Sequence, residues 1–424
     1  MGTGPDTGAA EADCPAGDAS GSAVMEASVL YQSADMLVRH VPAGDGTRHV
    51  LTFDCYHDAR TLDRPGFGED FFPKHGIGAT HLLTRNNDWY QYPDLPAALA
   101  AMRRAASGAA RVLTYGSSMG GYAAVRFADA VGANAALALS PQYSVDPAKV
   151  PRELRWAQDQ RRLTYLPEVD GPIRSGVAPV VAYDPHGMDR LHADLIAADT
   201  PVRRLRVPFG GHPVGTFLLD AGLLSDLVLQ TLDGTLDPAA GEAAVRAARR
   251  RVAVYFSTLA ARQPPWRPGL AVSLAEQAVR LAPDRPEGHY ALALRLAAAG
   301  RHAEALRAHE ATAARDRNPG YMFAHSAALH RAGDTPAALR IAHEVRTAWP
   351  HHAGIHHWIS DLLRAQHDLP AALDYAEQAA AIDPANELYR ATVNAIGAVL
   401  RPPWSHIPVS RTWLSRVFQA LRRR

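Results

Sequence analysis

Residues Gly116-Ser117-Ser118-Met119-Gly120 set a serine between two glycines, directly after the apolar run 112–115 and before the Ala-rich stretch 123–128. A serine hydroxyl is a weak nucleophile until a base stands beside it. A sharp strand-to-helix turn lifts such a serine above a sheet in a strained conformation. Glycine is needed on both sides because side chains there would collide across the turn. The start of the following helix then aims backbone N–H groups, that of Met119 first, at a developing oxyanion. The same five residues also suit a Gly/Ser turn in an ordinary strand–helix connection, so the reading depends on partners.

His212 stands in Pro208-Phe209-Gly210-Gly211-His212-Pro213, a Gly-rich loop after the last apolar β-like run. A histidine there can take the serine proton and return it to a leaving group. Two aspartates follow the run 179–183, Asp184 and Asp189. Asp189, just before the next helix, is the preferred orienting acid, and it also suits a helix N-cap. Asp184 is the alternative, and Asp146 a more remote one. Asp184, His186, Asp189 and His192 contain metal-ligand chemistry, but their spacing matches no tight metal motif. No metal is expected.

The elements that must position these groups alternate. Short β-like runs fall at 27–31, 36–40, 48–53, 80–84, 111–115, 135–139, 179–183 and 202–207. Helical stretches fall at 97–106, after the serine, at 191–198 and as a final helix over 214–232. This rhythm predicts a parallel sheet with helices on both faces, an α/β class. In such sheets chemistry sits beyond the carboxyl ends of the strands. The segment 141–178 is long for a connection and suits a small lid. Within it, Tyr143, Arg152, Arg155 and Trp156 are the candidate substrate-binding residues: Arg152 and Arg155 suit an anionic or sugar-bearing substrate and Trp156 suits stacking; a solvated Arg/Glu helix packing one Trp suits the same stretch.

The Gly-x-Ser-x-Gly stretch, Gly211-His212, the strand–helix rhythm and the chain order Ser118, Asp189, His212 together resemble the α/β-hydrolase superfamily over residues 25–235. The resemblance implies a serine esterase, lipase, thioesterase, peptidase or acyltransferase, acting without a cofactor. Many members carry a His-Gly step after the third strand that supplies an oxyanion N–H. Here that stretch reads Phe53-Asp54-Cys55-Tyr56-His57 without glycine. The second donor is then the N–H of Cys55 or Tyr56.

At 424 residues the chain suits two or three domains. The second half repeats. Gly300, Gly333 and His367 occupy equivalent places, as do Leu306, Leu339 and Leu373, at steps of 33 and 34. Small residues let paired helices approach, and a proline closes each pair. This period is similar to the tetratricopeptide repeat, which implies a superhelix that binds peptide or protein on its concave face. The expected organisation is a disordered leader at 1–24, a catalytic domain at 25–235, a helical linker at 236–268, repeats at 269–398 and a basic amphipathic tail at 399–424. The tail suits a helix that caps the repeats, or peripheral contact with an anionic membrane. The His-rich stretch 351–357 is expected at exposed positions where a helix begins.

The formal charge of +1 implies no bulk attraction to nucleic acid or membrane. Six arginines and no acid lie in 401–424, leaving −5 for the rest. Two cysteines, Cys14 and Cys55, imply no disulfide framework. The leader lacks a basic start and an apolar core, and no apolar run nears the length of a membrane span. A cytoplasmic protein is expected. The reading is a serine hydrolase acting on an ester or other acyl bond of a small molecule or glycan, with a repeat domain for a protein or peptide partner. The alternatives are an O-acyltransferase or deacylase on a polysaccharide or glycan intermediate, and a non-catalytic scaffold acting through its repeats.

Overall fold

The computed structural model describes residues 27–57 and 59–400. The expected leader at 1–24 and residues 401–424 of the expected tail lie outside the described residues. The chain divides into two compact units between Arg295 and Leu296.

The first unit is built on eight strands: β1 (Ser28–Gln32), β2 (Met36–Val41), β3 (Arg48–Phe53), β4 (Gly78–Thr84), β5 (Arg111–Ser117), β6 (Ala135–Leu139), β7 (Val180–Tyr183) and β8 (Arg203–Arg206). They form one sheet in the order β1-β2-β4-β3-β5-β6-β7-β8. β3 to β8 run parallel, but β2 pairs antiparallel with both β1 and β4. The all-parallel expectation is corrected here for a simple reason. Only Ser33, Ala34 and Asp35 join β1 to β2, too few for a crossover, so the pair can only form a hairpin.

The helices of this unit are α1 (Leu95–Ala106), α2 (Met119–Arg126), α3 (Ala157–Arg162), α4 (Pro167–Asp170), α5 (Asp189–Asp199), α6 (Gly215–Asp220), α7 (Leu224–Asp233), α8 (Pro238–Ala248), α9 (Ala253–Ala261) and α10 (Pro268–Leu281). Alternation along the strands sorts them onto two faces. Leu51, Phe53, Val112 and Ala136 pack beneath α1 and α2. Val50, Leu113, Tyr115, Leu137 and Leu139 face the other way, against Phe217, Leu218, Leu227, Val228 and Leu232 of α6 and α7. Each such fully buried side chain contributes roughly 1.5–3 kcal/mol.

Three expected segments differ. The helix over 214–232 is two helices, because Gly222 takes φ +70 between them. Residues 236–268 are not a linker. Leu236, Val245 and Val252 are buried in the same core as Leu205 of β8, and a Cβ on Gly241 would lie 2.9 Å from the Leu205 Cδ1. Finally, α10 was expected to open the repeats, yet it packs on α9 within the first unit.

Helix α11 (Pro286–Ala298) spans the division. The second unit then contains α12 (His302–Arg315), α13 (Pro319–Arg331), α14 (Thr335–Ala348), α15 (Ala353–Ala365), α16 (Leu369–Ile382) and α17 (Glu387–Leu400). α12, α14 and α16 start 33 and 34 residues apart, and α13, α15 and α17 start 34 apart. This is the expected all-helical repeat region. Its contacts repeat as well. The Ser326 hydroxyl donates to the Ala338 carbonyl at 2.7 Å, and Ser360 donates to Ala372 at 2.7 Å. Asp334 and Asp368 accept from the Ala337 and Ala371 N–H groups at the starts of α14 and α16. Ala338, Ala342, Ala372 and Ala376 are fully buried, which permits close helix approach.

The His-rich stretch is not simply exposed: His356 is buried and its Nε2 donates to the Pro350 carbonyl at 2.8 Å. Among the described residues no group of three or more His, Cys, Asp or Glu side chains could hold a metal ion, and no helix is long and apolar enough to cross a membrane.

Gly300, Gly333 and His367 stand in equivalent turns just after α11, α13 and α15, with φ of +77, +92 and +63. A side chain in this left-handed region costs about 1–2 kcal/mol that glycine does not incur. His367→Gly is therefore expected to stabilise the repeats by about 1 kcal/mol. A urea midpoint equal to or below that of the parent chain would show that the His367 side chain contributes more than the backbone loses.

Candidate active site

The turn from β5 into α2 has the geometry its glycines suggest. Ser118 sits at φ 50, ψ −114, a conformation that costs a non-glycine residue roughly 1–3 kcal/mol. Its N–H donates to the Leu139 carbonyl of β6 at 2.8 Å, which helps hold the turn. A Cβ on Gly116 would lie 2.2 Å from the Gly120 carbonyl oxygen, and one on Gly120 would lie 2.4 Å from that of Phe53. Neither position tolerates a side chain, because β3, β5 and α2 converge here backbone to backbone.

His212 reaches this turn from the loop after β8. Its Nε2 lies 3.0 Å from the Ser118 Oγ, and its Nδ1 lies 2.9 Å from both carboxylate oxygens of Asp189. Asp189 is the first residue of α5 rather than a loop residue, and Met188 holds the N-cap position. Asp184 does not touch the imidazole. Its carboxylate accepts from the N–H groups of His186, Phe209 and Gly211 at 3.0, 3.1 and 3.3 Å. It thereby ties the histidine loop to the end of β7. Asp146 accepts from Ala148 N–H in its own local turn.

A face of α9 braces the same loop. Tyr255 packs edge-on to Phe209 with ring centroids 5.9 Å apart, and Phe209 stacks on His186 at 4.3 Å. A Cβ on Gly211 would meet Thr258 Oγ1 at 3.2 Å. Arg262, at the end of α9, donates to the Asp184 carboxylate at 3.0 Å and also to the His186 carbonyl.

Asp189 is buried and carries a second partner, Arg155, whose Nη1 donates to it at 2.9 Å. Burial alone would raise the Asp189 pKa. The His212 imidazole, the Arg155 guanidinium and the Ser140 hydroxyl outweigh it and hold the carboxyl well below the ordinary carboxylate range. Arg155 also pairs with Glu153, at 2.5 Å. Glu153 lies 2.8 Å from His192 Nε2, and the other ring nitrogen of His192 accepts from Tyr143 N–H at 3.0 Å. Burial opposes ionisation of Glu153, but His192 and Arg155 pull its pKa down to about 2.

Arg155, expected to meet a substrate, is thus corrected: its charge faces two buried carboxylates. Tyr143 is also turned away, its hydroxyl donating to Asp199 at 3.0 Å. Arg152 is exposed and lines a shallow groove of about 360 Å³ with Gly187, Met188 and Asp194. Trp156 does reach the site, its ring 6.2 Å from that of His212.

Trp156 belongs to a roof. Its ring packs on Tyr56 at 4.8 Å and Trp89 at 5.3 Å. The Tyr56 hydroxyl donates to Asp159 of α3 at 3.2 Å, and Arg162 of α3 pairs with Asp88. The 141–178 segment therefore covers the serine, which is only 1% exposed. The buried Trp156 indole N–H has no hydrogen-bond partner among the described residues. Of the oxyanion candidates, Met119 opens α2 and offers one of the N–H groups a first turn leaves unpaired. A Cβ on Gly120 would also lie 2.8 Å from the Asp54 carbonyl oxygen, so the chain leading to Cys55 and Tyr56 crosses the start of α2. Asp54 anchors this crossing: its carboxylate receives two bonds from Arg64 and one from Thr84 N–H, while its carbonyl accepts from Tyr90.

The sequence singles out no role for Gln142, Glu153, Arg64 or Arg262, and it marks His192 only for metal-ligand chemistry. Gln142, Glu153 and Arg262 each meet a partner 24, 39 and 78 residues away, and no local spacing marks those contacts. One faint signal existed for Gln142, which follows Ser140-Pro141 at the carboxyl end of a strand, where chemistry gathers.

No protein-family description matches this chain, and no curated protein matches it. Solved structures with some likeness include MamA residues 41 to the end from Desulfovibrio magneticus RS-1, at 16% identity and TM-score 0.33, covering 41% of this chain and 96% of that one. YrrB, a TPR protein with an unusual peptide-binding site, has 17% identity and TM-score 0.32, covering 41% and 87%. The human IFIT1 dimer with PPP-AAAA has 17% identity and TM-score 0.29, covering 38% and 44%. Likeness at this level carries no function across.

Two outcomes follow from the buried charges. Arg262→Met should slow modification of Ser118 by a fluorophosphonate on the order of 10-fold, because a small displacement of the histidine loop is enough to do so. An unchanged rate would remove α9 from any role in setting the loop. Second, Glu153 has a folded pKa below its unfolded value, so its stabilisation is present above about pH 4.5 and lost as pH falls toward 2. Glu153→Gln should be less stable at pH 7 and flatter than the parent chain between pH 4.5 and 2. Parallel stability curves for the two proteins over that window would contradict the assignment.

Proposed function

We propose that the first unit is a serine hydrolase that cleaves an ester or other acyl bond. The observation that carries this reading is the continuous relay from Ser118 through His212 to Asp189, at 3.0 and 2.9 Å. The strained serine turn, the order of the three residues in the chain and the sheet that carries them resemble the α/β-hydrolase fold and support the same reading.

The chemistry would run as follows. His212 Nε2 takes the Ser118 proton as Oγ attacks an acyl carbonyl. The resulting oxyanion meets the Met119 N–H and a second backbone donor from the Cys55–Tyr56 stretch. His212 then protonates the leaving group, and water or another acceptor releases the acyl group. Asp189 holds the Nδ1 proton and stabilises the imidazolium. Arg155 keeps Asp189 ionised, so the acid never competes for the proton. The Trp156 indole, without a hydrogen-bond partner among the described residues, is a buried donor beside the histidine that a polar atom of the substrate would satisfy. Because Ser118 is 1% exposed, the roof around Trp156 must shift to admit substrate. A covered site of this kind also suits transfer to a sugar acceptor, which product analysis with added acceptor would reveal.

A second reading rests on the regular helical repeats of residues 296–400, which suit a scaffold that binds a peptide or protein. Among the similar solved structures YrrB is a TPR protein by its title, and none of the three titles names a hydrolase. On this reading the first unit is a platform and Ser118 is inert.

Fluorophosphonate labelling of the full chain separates the two. The hydrolase reading expects Ser118 to be labelled in the parent protein, with labelling abolished by Ser118→Ala and reduced at least about 100-fold by His212→Ala. No labelling of the folded parent chain over hours, including in mild detergent to loosen the roof, would favour the scaffold.

A further inference from the structure

Ser118 Oγ has a second close partner besides the histidine. Gln142 Nε2 lies 3.0 Å from it, and Gln142 is 1% exposed. The chain reaches this point by a forced path. Ser140, at the end of β6, adopts φ +47, and its hydroxyl accepts from Val214 N–H at 3.1 Å. The next residue, Pro141, lies against α2, where a Cβ on Gly121 would come within 3.2 Å of its Cα. Gln142 is thereby turned in over the serine.

The direction of every hydrogen bond here is fixed by donor and acceptor chemistry. The Trp89 indole N–H is only a donor, and it faces Gln142 Oε1 at 3.4 Å. The carboxamide must therefore present its oxygen to Trp89 and its NH₂ to Ser118. At the other end the ionised Asp189 is only an acceptor, so His212 Nδ1 carries a proton and Nε2 is the acceptor. Ser118 must then donate to Nε2 and accept from Gln142. The result is one directed chain, Trp89 to Gln142 to Ser118 to His212 to Asp189.

We propose that Gln142 is a catalytic residue, whose carboxamide, aimed by Trp89, donates to Ser118 Oγ and stabilises the charge that gathers there when the acyl bond forms and when it breaks. This rests on the reading of Ser118 as the nucleophile. In acylation the Oγ–H proton passes to Nε2 while the Oγ–C bond forms and the carbonyl π pair moves to oxygen. In deacylation His212 Nε2 takes a proton from the attacking water or acceptor hydroxyl as its oxygen bonds the acyl carbon; the Oγ–C bond then breaks as the carbonyl re-forms, and Oγ leaves carrying negative charge until His212 gives it that proton. Gln142 meets Oγ in both steps. Its accepting oxygen, held by the indole, cannot swing round to compete for the serine proton.

The test compares rates of fluorophosphonate labelling in the full chain. Gln142→Met keeps the volume and removes the donor; the rate constant should fall about 10-fold to 100-fold. Gln142→Glu is near-isosteric. Its carboxylate should suppress labelling at pH 8, and protonation should restore it as pH falls, giving a limb opposite in slope to that of the parent. Trp89→Phe, which frees the carboxamide to flip, should fall between the parent and Gln142→Met. If the parent is labelled and Gln142→Met reacts at the parent rate, this inference fails while the hydrolase reading stands. If the Met variant does not fold, a Glu variant whose pH profile parallels the parent's overturns the inference. If the folded parent itself is not labelled, both fail together.

Discussion

The hydrogen bond between His212 and Asp189 is the constraint on which the first unit's candidate site depends. It fixes the imidazole tautomer, and through it the direction in which the Ser118 proton points. A buried carboxylate can do this only while it stays charged, and desolvation works against that. Arg155 resolves the conflict, but a guanidinium in a covered site brings its own excess charge. Glu153 balances Arg155, and His192 holds Glu153 from the other side. A relay of three residues thus extends into a buried network twice that length.

The same solution recurs around the sheet's carboxyl edge. Asp184 meets Arg262, Asp54 meets Arg64, and Asp170 meets Lys149. In each case the carboxylate also binds backbone or hydroxyl groups of a loop that the sheet alone would leave free. Asp184 gathers the histidine loop, Asp54 gathers the chain after β3, and Asp170 accepts from Ser144 and Tyr122 beneath the roof. Buried pairs of this kind add little net stability over apolar packing, and breaking one partner is costly. Their use here is geometric: each holds a loop that borders the candidate site.

The second unit is stabilised by a different economy of contacts. Small residues at its helix crossings, serine hydroxyls on the next helix's carbonyl and aspartate caps recur at nearly constant spacing. Such a unit is specified locally, repeat by repeat, and this is why its period is visible without coordinates. His367 is the exception that shows the rule: the repeat demands a left-handed residue there, and the backbone adopts it although glycine is absent.

What the sequence by itself determined is whatever depends on neighbours along the chain. The serine turn was legible because Gly116 and Gly120 are required within a few residues of Ser118. The strands were legible from short apolar runs, and the repeats from a fixed period. The sequence ranked Asp189 above Asp184 but left both open, since each follows the same strand. Tertiary structure decided what depends on groups distant in the chain. It sent Asp184 to the loop amides and Asp189 to the imidazole, because α5 begins at 189 and turns that side chain inward. It drew Arg155 away from any substrate and into ion pairs. It made residues 236–268 part of the sheet's core, because Val245 and Val252 find apolar partners on β8 that no local pattern announces. It brought Trp89 and Ser118, 53 and 24 residues away in the chain, to the two ends of the Gln142 carboxamide. Local spacing fixes backbone conformation, whereas charge and hydrogen-bond partners are chosen only when the layers close and water leaves.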